Sequence, residues 1–360
     1  MHTSYDVLIL GASYGSLLGS KMLLAGHDVT LVCRPGTAEA INRNGLRLRL
    51  PISGKHEPLE IDSRELPGTL AACGPGDVDP KNYDLIALAM QEPQYSSPGV
   101  RELLDEIAKA RVPCVSIMNM PPPPYLRRIP GLDVDALSSC FTDASVWENF
   151  DPACMTLCSP DPQAFRHSGQ NINVLQVTLP TNFKAARFES DDYTEILRTI
   201  QAHISVARYH DHMELPVKLK VFDSVFVPLA KWPMLIAGNY RCVQVRGPRS
   251  IREAVHNDID VSRDIFNWVC ELCIRLGASP SDLVPFEKYA DAAQNLSTPS
   301  SAARALFEGA TNIERTDRLV QAIATQVDMH SPIVDEMVAL IDARLAGNRI
   351  SAEERRLISA

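Results

Sequence analysis

No apolar run in this 360-residue chain approaches the roughly 18–20 residues that a membrane-spanning helix needs. The opening residues, Met1 to Asp6, carry neither a basic n-region nor an apolar h-region, so no export signal is expected. Positive charge is in deficit: 35 Lys and Arg stand against 44 Asp and Glu, a net charge of −9. That argues against a nucleic-acid or anionic-membrane partner, since both need a basic surface. It leaves room for a small-molecule substrate, even an anionic one held by a few local cations. A homodimer is compatible with the sequence. The nine cysteines are scattered and odd in number, which fits reduced thiols and a cytoplasmic location better than a disulfide framework. Cys270 and Cys273 form a C-x-x-C inside a helical pattern with no second Cys/His pair nearby in sequence. They read as buried thiols, and no metal site is expected.

What is present is an ordinary globular mix, 45% hydrophobic and 22% charged, in a chain long enough for two domains. Tyr5 to Leu10 is a short apolar run ending at Gly11. Ser16 to Ala25 follows with helical spacing and stops at Gly26, and His27 to Cys33 is a second apolar run. Further strands are expected at Asp84–Ala89 and Val112–Met118, with a helix between them at 99–110. Strands alternating with helices imply a doubly wound parallel sheet, a Rossmann fold. Segment 46–62 alternates at period 2 and reads as an inserted antiparallel pair. Pro121 to Pro124 reads as a stiff polyproline turn. Helical periodicity dominates past about residue 185, at 193–207, 214–237, 250–276, 300–307, 313–327 and 333–346. The boundary is placed near Thr181–Lys184, giving an α/β domain over 1–183 and an all-α domain over 184–360.

The loop Gly11-Ala12-Ser13-Tyr14-Gly15-Ser16 lies where a Rossmann fold binds pyrophosphate on a helix N-terminus. The G-x-G-x-x-G fingerprint is missing: Ser13 replaces the second glycine, and Gly15 comes one residue early for the third. Backbone N–H groups can still meet phosphate there, helped by the Ser13 or Ser16 hydroxyl. The alternative is a glycine turn that only joins strand to helix. The carboxylate that holds the ribose 2′-OH of NAD is also missing after the second strand, where the chain reads Cys33-Arg34-Pro35. A guanidinium pairs with a 2′-phosphate in two-point geometry, so Arg34 favours NADP(H).

Larger stretches resemble the ketopantoate reductase (2-dehydropantoate 2-reductase) family. They are Gly15–Gly19, Ala25–Arg34 and Ile41–Leu48, then Phe165-Arg166-His167-Ser168-Gly169 and Glu214–Leu219. Ser300-Ser301, Glu308-Gly309, Asn312-Ile313-Glu314 and His330–Val334 continue the resemblance in order along nearly the whole chain. The resemblance implies a 6-phosphogluconate-dehydrogenase-like plan, and NADPH-dependent reduction of a 2-oxo acid to a 2-hydroxy acid. It implies a lysine that protonates the new hydroxyl, best matched by Lys218 with Lys220 as rival, and a substrate-holding glutamate, Glu314. An ammonium beside a carbonyl oxygen stabilises the charge that hydride transfer creates there and supplies a proton. Asn119, after the strand ending at Met118, and Gln94 match residues beside the cofactor.

The chain departs from the family at Gln91, where lysine is usual, and at Met120, where glycine follows the asparagine. The family also carries asparagines at four-residue intervals after its lysine. From Lys218 those positions hold Phe222 and Phe226. Phenylalanines there would suit a larger or more aromatic substrate than ketopantoate. Other readings are an opine- or imine-type dehydrogenase with the same two-domain plan, or a non-catalytic dinucleotide-binding protein.

Overall fold

A computed structural model describes residues 4–52, 54, 57–166, 171–210 and 212–359. The chain forms an α/β unit of residues 1–128 and 145–228, and a helical unit of residues 129–144 and 229–360.

The α/β unit is built on an eight-stranded sheet. Its strands are β1 (Asp6–Leu10), β2 (Asp28–Val32), β5 (Leu70–Cys73), β6 (Leu85–Leu88), β7 (Cys114–Ile117), β8 (Met155–Ser159), β11 (Phe183–Ala186) and β12 (Leu219–Phe222). The spatial order is β12-β11-β8-β7-β6-β1-β2-β5. Pairing is parallel from β5 to β8, as β6 and β7, buried along their whole length, lead one to expect. β11 runs antiparallel to β8, and β12 runs parallel to β11. Among the described residues, the α-helices of this unit are α1 (Tyr14–Leu24), α2 (Pro35–Asn44), α3 (Val100–Ala110), α4 (Pro123–Leu126) and α5 (Asp191–Val206). The expected antiparallel insert is present as β3 (Arg47–Leu50) against β4 (Leu59–Asp62). It is extended by β10 (Val174–Leu179), parallel to β3, and by β9 (Gln163–Phe165).

The helical unit contains a short turn α6 (Trp232–Met234), then α7 (Ile251–His256), α8 (Ile259–Arg275), α9 (Phe286–Ala293), α10 (Ser301–Phe307), α11 (Thr316–Gln326) and α12 (Pro332–Ser359). The helix expected at 250–276 is broken at Asp258, whose carboxylate caps α8 by accepting from the Val261 N–H at 3.1 Å. No helix among the described residues is long and apolar enough to cross a membrane.

Three expectations need correction. The boundary at 183/184 cuts β11, because β11, α5 and β12 complete the first sheet and share its apolar core. The proline run opens the helical turn α4, a role suited to proline at a first helical position, where its missing N–H costs nothing. The helix expected from Glu214 to Ala237 starts as a strand. Pro216 lacks an N–H, Val217 adopts φ +68°, and Leu215, Val217, Leu219 and Val221 alternate at the period of a strand.

Candidate functional site

Four loops of the α/β unit leave the C-terminal ends of neighbouring parallel strands. The registers align Leu10 with Val32 and Leu88, and Leu88 with Ser116. The loops after β2, β1, β6 and β7 therefore emerge side by side on one edge. Chain order reverses at β1, since β2 lies on one side of it and β6 on the other. Open α/β sheets bind ligands outside such a switch point. The sequence-derived residues of the loop Gly11–Ser16, Arg34, Gln94 and Asn119 all lie on these four loops or open the helices that follow them.

Gly11 turns the chain at φ +105° and donates its N–H to the Val32 carbonyl at 2.9 Å. A side chain there would meet the Ala89 carbonyl oxygen at 2.5 Å. Ser13 is the N-cap of α1, yet its hydroxyl makes no capping bond, and the first turn holds no acidic residue. Tyr14 opens the helix, and Ser16 lies in its first turn. Gly15 also has a packing role. A Cβ on it would fall 2.5 Å from Ile9 Cγ2. Although one residue early, it fills the helix-on-strand packing role of the third fingerprint glycine.

Arg34 lies two residues past the end of β2, is exposed, and caps α2 with Pro35 at the first helical position. Gln94 lies in the 3-10 turn Glu92–Ser96 after β6, and its Oε1 accepts the Gln91 N–H at 3.1 Å. Asn119 is half-buried just beyond β7.

Lys218 does not sit on the helical unit. It enters β12, its N–H donates to Asn182 Oδ1 at 2.9 Å, and its ammonium pairs with Glu214. Lys218 and Lys220 lie two residues apart along an extended chain, so both project to the same side of it, unlike the opposed faces a helix would give. Phe222 ends that strand, and the buried Phe226 follows it, so neither stands a helical turn from the lysine.

Past β12 the chain becomes helical through Lys231. A 3-10 turn over Val227–Lys231 runs into α6 and then into a π-helical turn, Leu235–Asn239. π-turns are rare and occur frequently at functional sites. Tyr289 supports this one by donating its hydroxyl to the Met234 carbonyl at 3.0 Å. Asn239 stands eight residues after Lys231, the spacing of the second family asparagine, with Leu235 at the first. A reading anchored on Lys218 does not register this spacing. The Asn239 carbonyl accepts from Ser300 Oγ at 2.7 Å. The next residue, Tyr240, donates to the Glu314 carbonyl at 2.6 Å and accepts from the Thr316 N–H at 3.0 Å. Asn239, Ser300 and Glu314, far apart in sequence, are thus fastened together. Glu314 is buried, and Arg315 beside it grips Asp317 with two 2.9 Å bonds. Burial pushes the Asp317 carboxyl up, and the Arg315 fork opposes that push. His167, Ser168 and Gly169 lie outside the described residues.

A doubly wound Rossmann sheet followed by a helical unit is the class of protein that these features define. Residues 7–108 match the sequence model of the ketopantoate reductase PanE/ApbA family, and the resemblance read from the sequence is borne out. No curated protein matches the chain. Among solved structures, a protein from Ralstonia solanacearum MolK2 described as a ketopantoate reductase has 15% identity and a TM-score of 0.66, over 96% of this chain and 99% of its own. D-mandelate dehydrogenase with NADH and anilino(oxo)acetate has 11% identity and a TM-score of 0.63, over 96% and 99%. A dimeric ketopantoate reductase from Staphylococcus aureus has 10% identity and a TM-score of 0.60, over 95% and 99%. At these identities the structures establish a shared fold.

Proposed function

We propose that the protein is an NADPH-dependent oxidoreductase interconverting a 2-oxo acid, or a related carbonyl, and its 2-hydroxy acid. The observation that carries this is the edge at the switch point of the sheet. There an uncapped helix N-terminus free of acidic residues, Arg34, Gln94 and Asn119 come from four adjacent strand ends. A nicotinamide dinucleotide fits that donor set. The N–H groups of α1 suit its phosphates, and Arg34, in place of a carboxylate, suits a 2′-phosphate. When bound, it supplies the hydride.

Lys231 takes the role first expected of Lys218: its ammonium stabilises the carbonyl oxygen as charge develops and gives it a proton. Asn239 and Glu314 orient the substrate. D-mandelate is an aromatic 2-hydroxy acid, so the likeness to its dehydrogenase supports an aromatic or bulky substrate. The likeness to a dimeric reductase supports a homodimer.

Fluorescence titration with NADPH and NADH, followed by turnover on a panel of aliphatic and aromatic 2-oxo acids, tests the reading. NADPH binds more tightly, and Arg34→Ala weakens it by about 1.5–3 kcal/mol, the scale of a charge-assisted pair, while sparing NADH. Equal losses for both cofactors, or a wild-type preference for NADH, would remove the assignment of Arg34. Binding without turnover on any 2-oxo acid would remove the activity.

A further inference from the structure

Arg166 follows β9 and turns back onto the first turn of α1. Its Nε donates to the Ile172 carbonyl at 2.6 Å, and its Nη2 lies 3.3 Å from Ser16 Oγ. The Ser16 hydroxyl gives its one proton to the Ala12 carbonyl, so its oxygen accepts from the arginine. Neither contact is with a carboxylate, and among the described residues no ion pair is formed by Arg166 or by Arg34. The side chain is half-buried, and burial pushes its guanidinium down. Cys33 opposes that effect, and Arg34, close enough to interact, adds to it.

An arginine stays charged at any physiological pH. Here a half-buried permanent cation stands near a second arginine, against a helix end that is itself partly positive. Desolvating a charge beside like charges is costly unless an anion shares the place. Ile172 and Ser16 hold the guanidinium at the Gly11–Ser16 turn, where the phosphates of a dinucleotide meet a Rossmann helix.

We propose that Arg166 binds the diphosphate bridge of the dinucleotide, a task separate from that of Arg34 on the 2′-phosphate. This rests on the dinucleotide reading of the same edge. The diphosphate is common to NADH and NADPH, so Arg166 sets affinity for both cofactors, and Arg34 sets the choice between them.

The experiment titrates the full-length protein with NADPH, NADH and 2′-AMP, which carries a 2′-phosphate and no diphosphate. Arg166→Met is expected to weaken NADPH and NADH by the same factor, about tenfold or more. It leaves 2′-AMP unchanged. Arg166→Lys, which keeps the charge and loses the fork, falls between. Arg34→Ala is expected to lose NADPH and 2′-AMP and to keep NADH. Wild-type affinity for both cofactors in Arg166→Met would overturn the proposal, as would a loss confined to NADPH. A parallel loss of 2′-AMP would overturn it too, since that marks a general disturbance of the pocket. Absence of any cofactor binding by the wild type would instead remove the dinucleotide reading on which the proposal stands.

Discussion

Lys21 shows how a single side chain can be functional in appearance and structural in effect. It is buried in α1, and its ammonium donates to the carbonyls of Leu215 and Pro216 at 3.3 and 3.2 Å. Those bonds brace the segment that carries Val217 at positive φ and leads into β12. Burial, with Lys218 adding to it, pulls its pKa down to about 8. In the unfolded chain it titrates at the ordinary lysine value, about 10.4. Between those values the unfolded state binds the extra proton, so stability rises with pH across that window. Urea denaturation of wild type and Lys21→Met should therefore show a stability difference that moves in favour of the wild type from pH 7 to pH 10. A flat difference would mean that the ammonium is not desolvated. Arg34 was legible at this same scale, because its place after a strand is set by local sequence. Arg166 was not, since its bond to Ser16 spans 150 residues and no local pattern encodes it.

At the scale of elements, the two lysines separate. Lys218 precedes a strand and is paired with Glu214; Lys231 leads the helix that carries the π-turn and Asn239. Lys231→Ala should lower turnover by roughly 10²–10⁴-fold with cofactor affinity nearly unchanged, the usual scale for a positioned acid. Lys218→Ala should stay close to wild type. Steady-state kinetics on the best 2-oxo acid decides, and the opposite ranking would return the role to β12. The sequence held the evidence for this strand. Leu215, Val217, Leu219 and Val221 alternate at period 2, and Pro216 interrupts any helix. The apolar residues from Val225 onward then impose helical spacing, and one long window merges two elements. The first βαβ unit had no such overlap, because Gly11 and Gly26 punctuate it. The inserted pair was legible for a similar reason: its alternation over 46–62 has no helical neighbour to blur it. Gly15 was a residue whose importance the loop announced; its packing against Ile9 shows only in the folded chain.

For the whole molecule, the change from alternating elements to helices near residue 185 looked like a domain boundary and is not one. Leu197, Ile200 and Ile204 of α5, with Leu215 and Leu219, belong to the same apolar cluster as Val7, Ile9 and Leu31. A fragment of residues 1–183 should therefore unfold without a cooperative urea transition by circular dichroism, whereas the full chain shows one. A sharp transition in the fragment would restore the earlier boundary. The true division is harder to see in a linear text, because residues 129–144 leave the α/β unit midway and join helices encoded much later. There Asp133 exchanges two hydrogen bonds with Gln326, its N–H with Oε1 at 3.0 Å and its carbonyl with Nε2 at 2.9 Å. That excursion has a consequence for biosynthesis. At about 5–20 residues per second, a ribosome takes roughly ten to thirty seconds to go from this segment to the helix that receives it. Through that interval α11, against which the turn carrying the buried Leu137 and Cys140 packs, is not yet made, and the nascent chain must keep this short piece soluble until its last third emerges.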